Sequence, residues 1–422
     1  MRPTRAERRA RETLVLSVML FVFTWTIAVL AGRGRYSDYV QFYTLAQIAA
    51  HGDFTALTSD ATLQAWQVRV LPDSASTPYP SVYPPQIALL LRPFATLGYW
   101  PGYAVLVLLS AATCLFTAQR MAATRAGLAR WPWQVGVLTA ASPFLWALIV
   151  MGQISALALA AVWASWRALR GGRPWLAGAA LGVLAYKAPL FAVAMAVVFL
   201  AGEWTMVAAA VALAVLQYLV AIPFVGGDVV ADYLLRLVQL AVAPDRLAEK
   251  FLGLHSWRTF WTALLPGWAA SAAYVVTGGA TVVGAAWAWR RLPDPLHRVA
   301  VLGAAIVLGS PHLFAYDLVL LFPLAVASAD LVASASGRRA LAWLTVAGCA
   351  APMWSLPVAL LNVQGSTPVL AAWLFEFVRV ALRSRASSTS HAGTASNATS
   401  SSSASVATAE VAPSAVQPAS ST

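Results

Sequence analysis

Residues 14–31 read LVLSVMLFVFTWTIAVLA, a run without a single charge, one residue (Thr13) after MRPTRAERRARE at 1–12. A run of that length reaches across the hydrocarbon layer of a bilayer and exceeds the apolar core of a secretory leader. Arg2, Arg5, Arg8, Arg9 and Arg11 precede it, and clustered cations hold their side of a span in the cytoplasm. The segment therefore reads as a signal anchor with the N-terminus inside.

The rest of the chain repeats this pattern. Of its 422 residues 60% are apolar and only 10% are charged, against about 25% charged in an ordinary soluble domain. A soluble globule with so few charges could not cover its surface. That excludes a soluble enzyme, a disordered chain and a secreted disulfide scaffold, and leaves an all-α polytopic membrane protein. The two cysteines, Cys114 and Cys349, sit within apolar segments and suggest neither a disulfide framework nor a metal site. The net charge of +12 could suggest nucleic acid. Its distribution points elsewhere: the arginines cluster beside apolar runs, where they set topology. No nucleic-acid partner is expected.

The later clusters act as a ruler: Arg120/Arg125/Arg130, Arg167/Arg170/Arg173, Arg290/Arg291/Arg298, Arg338/Arg339 and Arg379/Arg383/Arg385. Placing each inside predicts about twelve spans, near 14–31, 100–120, 133–151, 153–170, 175–187, 188–203, 205–224, 267–289, 297–311, 313–333, 340–361 and 368–382. Both termini then lie inside. The turn at Gly202-Glu203 is the weakest point of this map, because it carries no Arg. Two outer loops are long, 32–99 and 225–266, and long connections in compact proteins are usually functional. Residues 1–385 form the membrane domain. Residues 386–422, rich in Ser, Thr and Ala, are expected to be a disordered cytoplasmic tail.

In the first outer loop, VQFYTLAQIAA follows Asp38-Tyr39 with helical spacing, and Gly52 suits the position just past a helix end. Tyr83-Pro84-Pro85 opens a second apolar stretch, with Pro in a helix's first turn. Both are expected to be helices at the outer membrane surface. Asp38 has two readings: an inert helix cap, or a general base where a lipid-borne substrate would meet it.

Further polar residues interrupt apolar sequence. Lys187, followed by Pro189, either snorkels to the outer headgroups or offers a counter-charge to phosphate. Gln153 follows Gly152 in a turn between two spans. His255 and Arg258 lie in the second long loop, where an Arg could simply meet lipid phosphate. His312, Tyr316 and Asp317 open the span HLFAYDLVLLFPLA, with His312 and Tyr316 expected on one helix face. That trio is either functional or a satisfied structural cluster, with Asp317 pairing Lys187. The ruler, drawn without these positions, puts Asp38, Tyr83, Gln153, Lys187, His255, Arg258, His312, Tyr316 and Asp317 all at the outer face. One chemical site explains that clustering better than an ion path, which would scatter polar groups through the membrane.

The ordered set SDYVQFYTLAQIAAHGDF, YPPQIALLLRPFATL, MGQISALALA, GVLAYKAPL and SPHLFAYDLVLLFPLA resembles glycosyltransferase family 87 of the GT-C superfamily, polyprenyl-phosphate-mannose-dependent α-mannosyltransferases of bacteria. The resemblance implies a multi-pass enzyme of the plasma membrane with its site facing outside. Its catalytic residues would be Asp38, as base, and His312, orienting Asp38 or the acceptor. Lys187, His255, Arg258, Gln153, Tyr83, Tyr316 and Asp317 would bind donor phosphate and substrate. The partners implied are a polyprenyl-phosphate sugar, a glycolipid or glycan acceptor, and membrane lipid. No cofactor is implied. Related enzymes often carry two adjacent acids in the first loop; here Asp38 is followed by Tyr39, so no metal is expected. Arabinosyl or glucosyl transfer is the alternative within the class. A secondary transporter or lipid flippase is the alternative outside it, and would call for inverted repeats and helices broken at mid-membrane.

Overall fold

A computed structural model describes residues 38–72, 74, 79, 82–242, 254–334, 338–354 and 364–402. The first expected span, 14–31, lies outside them. The described residues are helical, and their one strand-like pairing is an isolated bridge between Leu254 and Phe314. In chain order the helices begin with α1 (Tyr39–His51), α2 (Asp60–Val70), α3 (Pro85–Leu91), α4 (Tyr99–Ala122), α5 (Pro132–Ala140) and α6 (Pro143–Met151). They continue with α7 (Ala156–Arg170), α8 (Pro174–Gly182), α9 (Ala188–Leu200), α10 (Trp204–Val225), α11 (Gly227–Val242) and α12 (Trp257–Leu264). The last are α13 (Gly267–Arg291), α14 (Pro295–Gly309), α15 (Phe322–Ser334), α16 (Arg339–Cys349) and α17 (Ser366–Ser402). Helix α17 runs on past Ala386.

Among the described residues four stretches are long and apolar enough to cross a membrane: Tyr99–Ala122, Trp204–Val225, Gly267–Arg291 and Ala315–Ser334. The pair α5–α6, bent by 46°, is a fifth if counted as one span. Among the described residues, then, several of the expected spans are interrupted. The expected span 133–151 splits at Ser142-Pro143, where the Ser142 hydroxyl accepts from the Phe144 amide at 3.2 Å. The one at 175–187 tightens into a 3-10 turn, Val183–Tyr186. Helices α9, α14 and α16 are short. Proline explains most of this. Pro132, Pro143, Pro174, Pro189 and Pro295 all stand in first turns, where a missing N–H costs nothing, whereas a helix cannot run through them unbroken. Counting apolar residues does not register that. Broken helices, which the sequence reading did not expect, are thus present.

The helix in the first loop is packed within the protein. Tyr39, Phe42, Leu45, Ala46, Ile48 and Ala49 of α1 are buried, and so are Gln41 and Thr44 on the polar side. Its N-terminal rings meet α4: Tyr39 lies 5.1 Å from Tyr99 and 5.4 Å from Tyr103 between centroids. The Tyr43 hydroxyl donates to the Leu97 carbonyl at 2.7 Å. Gly52 closes the helix in the left-handed region (φ 74°), as its position predicts. Close packing elsewhere depends on small residues. A Cβ at Gly178 would strike the backbone of Met206, and one at Gly182 that of Ala210, so α8 and α10 approach as small-xxx-small pairs do.

The loops gather at two ends. At one, Arg125 holds Asp294 through two bonds (Nη2–Oδ1 2.7 Å). There the Gly127 amide donates to Asp330 at 3.2 Å, and the Trp289 indole donates to Glu203 at 2.8 Å. Arg290, in the last turn of α13, donates to the Ala201 carbonyl at 2.9 Å, so the Gly202-Glu203 turn receives from a neighbouring helix end the Arg that it lacks. The other end carries the polar residues considered next.

Candidate active site

The turn after α6 organises the site. Gly152 ends the helix at φ 61°, and the Gln153 amide returns to the Leu148 carbonyl at 3.2 Å. The chain then delivers two inward side chains, Gln153 and Ser155, exposed by only 2% and 1%. Gln153 Nε2 donates to Asp38 Oδ2 at 2.5 Å, and its Oε1 accepts from the Tyr83 hydroxyl at 3.2 Å. The Ser155 hydroxyl donates to Asp317 Oδ1 at 2.6 Å. One turn thus fixes two carboxylates.

Asp38 occupies the N-cap position of α1, yet its backbone is already helical (φ −60°, ψ −10°) and its side chain makes no capping bond. The carboxylate turns to Gln153 instead of capping the helix. Tyr79, which the sequence reading did not single out, also hydrogen-bonds Asp38. Its backbone is clamped by buried Gln67, through Nε2 to Tyr79 O at 2.8 Å and from Tyr79 N to Oε1 at 3.0 Å. Burial, and then the charge of Asp38, hold the Tyr79 phenol well above its ordinary pKa, so it remains a donor. Burial, then Tyr186 and the Asp317 and Asp38 carboxylates, do the same to Tyr83. A carboxylate has about four acceptor positions, so these donors leave room for a substrate hydroxyl. The neighbouring acids are engaged elsewhere, Asp53 with the Trp66 indole at 2.8 Å and Asp60 with Arg236. Asp73 lies outside the described residues.

Lys187 stands where the chain breaks between Val183–Tyr186 and α9 (φ −136°, ψ 89°). Its Nζ bonds Asp317 Oδ2 at 2.5 Å and lies 5.0 Å from the Tyr316 ring centroid. The Phe314 amide donates to the same carboxylate at 3.2 Å. Asp317 is wholly buried. Of the sequence alternatives, the mutual pair is the one formed, and Lys187 does not snorkel.

The two histidines are placed differently from expectation. His312 is not on a helix: it precedes the 3-10 helix Ala315–Leu321, so the shared face with Tyr316 does not exist. Its Nε2 lies 3.1 Å from Arg258 Nη1, and its hydrogen bond is to Arg258, not to Asp38. Burial, then Arg258 and Lys187, push the imidazole down to about 4, leaving it a neutral acceptor. That contact orients the guanidinium without cancelling its charge. His255 is fully buried, its Nδ1 2.7 Å from the Ser366 hydroxyl and its amide on the Leu313 carbonyl at 2.8 Å. With Gln364 Nε2 on the Leu254 carbonyl at 2.5 Å, it staples three loops together.

Burial lowers His255 from 6.5 to about 4. The unfolded chain therefore takes up a proton that the folded one refuses, so stability is level above about 6.5 and declines as pH falls toward about 4. His255→Asn keeps a donor toward Ser366 and should make that decline shallower in detergent thermal-unfolding midpoints. An unchanged slope would exclude His255 as a contributor.

The chain matches Glycosyltransferase family 87 over residues 82–311, more than half of its length. It belongs to that family. No curated protein and no solved structure matches it. The matched region holds Tyr83, Gln153, Ser155, Lys187, His255 and Arg258; Asp38, Tyr79, His312, Tyr316 and Asp317 complete the cluster from outside it. The family and the apolar helices together describe a membrane glycosyltransferase.

Proposed function

We propose that this glycosyltransferase moves a hexose, mannose first among the candidates, from a polyprenyl-phosphate donor to a hydroxyl of a glycolipid or glycan acceptor at the outer leaflet of the plasma membrane, with inversion, on a GT-C type scaffold. The carrying observation is the carboxylate of Asp38, held by Gln153 and Tyr79 beside a cluster that contains Lys187 and Arg258. Asp38 takes the proton of the acceptor hydroxyl. The freed oxygen attacks the anomeric carbon, the bond to the lipid phosphate breaks, and the phosphate leaves with its electron pair. Arg258, oriented by neutral His312, and Lys187 stabilise the departing charge, as preorganised donors do at developing anions. A monophosphate ester departs without a covalent enzyme intermediate.

The reading is supported from the apolar side as well. A groove of about 620 Å³ is lined by Gln86, Leu90, Leu157, Tyr186, Leu216 and Phe224 among others. Tyr186 in its wall stacks on Tyr83 of the site, at 6.5 Å and 7°. A lipid chain in this groove would bring its phosphate toward the polar cluster. The test uses sealed membrane vesicles of known orientation, offered polyprenyl-phosphate mannose, glucose or arabinose with an acceptor glycan. Transfer from the mannose donor on the outer face is expected. Transfer from another donor alone would change the sugar, and none from any would overturn the reading.

A further inference from the structure

A second groove lies at the end of the molecule remote from Asp38. It has a volume of about 280 Å³ between the last turns of α4 and α7, and is lined by Phe116, Arg120, Thr124, Trp163, Trp166 and Arg167. The Arg120 guanidinium lies over the Phe116 ring at 5.2 Å, and that ring meets Trp163 edge-on at 5.2 Å. Arg170 stands over Trp166 at 5.2 Å. Among the described residues no carboxylate lines the groove. Among the described residues the buried indole N–H groups of Trp163 and Trp166 find no acceptor, and Trp166 is only 1% exposed. Buried donors are rarely left unpaired. Two guanidinium groups with no acidic partner among the described residues, set beside two indole rings, make up an anion site.

The surroundings identify the kind of anion. Leu109 and Phe116, seven residues apart on one face of α4, are 56% and 45% exposed. They continue the groove along an apolar stripe parallel to the helix. A small free anion has no use for such a stripe, whereas an acyl chain does. The arginine distribution assigns this end to the cytoplasmic side, where anionic lipids concentrate near basic pockets. We propose that this groove holds an anionic phospholipid, its phosphodiester between Arg120 and Arg167 and an acyl chain along Phe116 and Leu109. The site is independent of the sugar chemistry at the other end.

Native mass spectrometry of the full-length protein, titrated with phosphatidylglycerol or phosphatidylcholine of matched chains, tests it. Wild type should retain phosphatidylglycerol in preference, and Arg120→Gln/Arg167→Gln should lose that preference by roughly tenfold or more, as two interfacial cations would. Arg130→Gln/Arg173→Gln removes the same charge from the same end outside the groove, and should keep the preference. Equal retention of both lipids, equal losses in the two double variants, or displacement of phosphatidylglycerol by millimolar inorganic phosphate would each overturn the assignment.

Discussion

Asp38→Asn is expected to cut sugar transfer by about 10²–10⁴-fold, the usual contribution of a general base, while the protein still inserts and binds donor. The geometry makes this a clean substitution. Asn retains an oxygen that can accept from Gln153 Nε2, which now sits 2.5 Å from Asp38 Oδ2, and from Tyr79. No helix-capping bond is lost, because the native side chain makes none. What disappears is proton acceptance, since an amide takes no proton near neutral pH. The kinetic signature should be a fall in kcat with little change in donor KM. A raised KM with kcat preserved would make Asp38 a substrate-binding group, and near-wild-type transfer would sink the mechanism. Asp317 is a poor substitute base, because Lys187, Ser155 and the Phe314 amide already occupy its carboxylate.

Much of this site was legible in the sequence because charge in an apolar chain is rare and costly. Asp38, Lys187 and Asp317 stood out for that reason, and the Lys187–Asp317 pair was among the readings considered. Gly152-Gln153 was visible only as a turn. Its role comes from tertiary placement, which puts two carboxylates on residues 153 and 155, and no local pattern encodes that. Tyr79 was overlooked, although Tyr79-Pro80 repeats four residues later as Tyr83-Pro84, a signal that could have found it. His312 was misplaced because helical periodicity was carried one turn too far back, across the bridge at Phe314. The helix map departs from the structure mainly where prolines stand: hydropathy sums the apolar residues, whereas prolines at 132, 143, 174, 189 and 295 decide where helices start. The breaks they impose are themselves useful, since the one at Lys187 is what brings its ammonium to Asp317.

The Lys187–Asp317 pair should show the largest stability effect in the chain. Asp317 is fully buried and Lys187 nearly so, with side chains 0% and 13% exposed. Removing one member of such a pair strands a charge in low dielectric, at a cost of about 3–5 kcal/mol. Lys187→Met should therefore lower the thermal midpoint sharply. Asp317→Asn should cost less, because the longer Lys187 chain can turn its ammonium toward water, and Asn keeps an oxygen for Ser155. The informative variant is Lys187→Met/Asp317→Asn, in which neither partner is charged. It should recover most of the stability lost in Lys187→Met, a strongly non-additive result expected of groups in direct contact. Activity then separates the two roles of the lysine. If Lys187 only neutralises Asp317, transfer returns with stability in the double variant. If its ammonium also meets the leaving phosphate, stability returns and transfer does not. The proposed mechanism requires the second outcome, and additive losses in thermal midpoint would show that the pair is not the coupled unit its geometry describes.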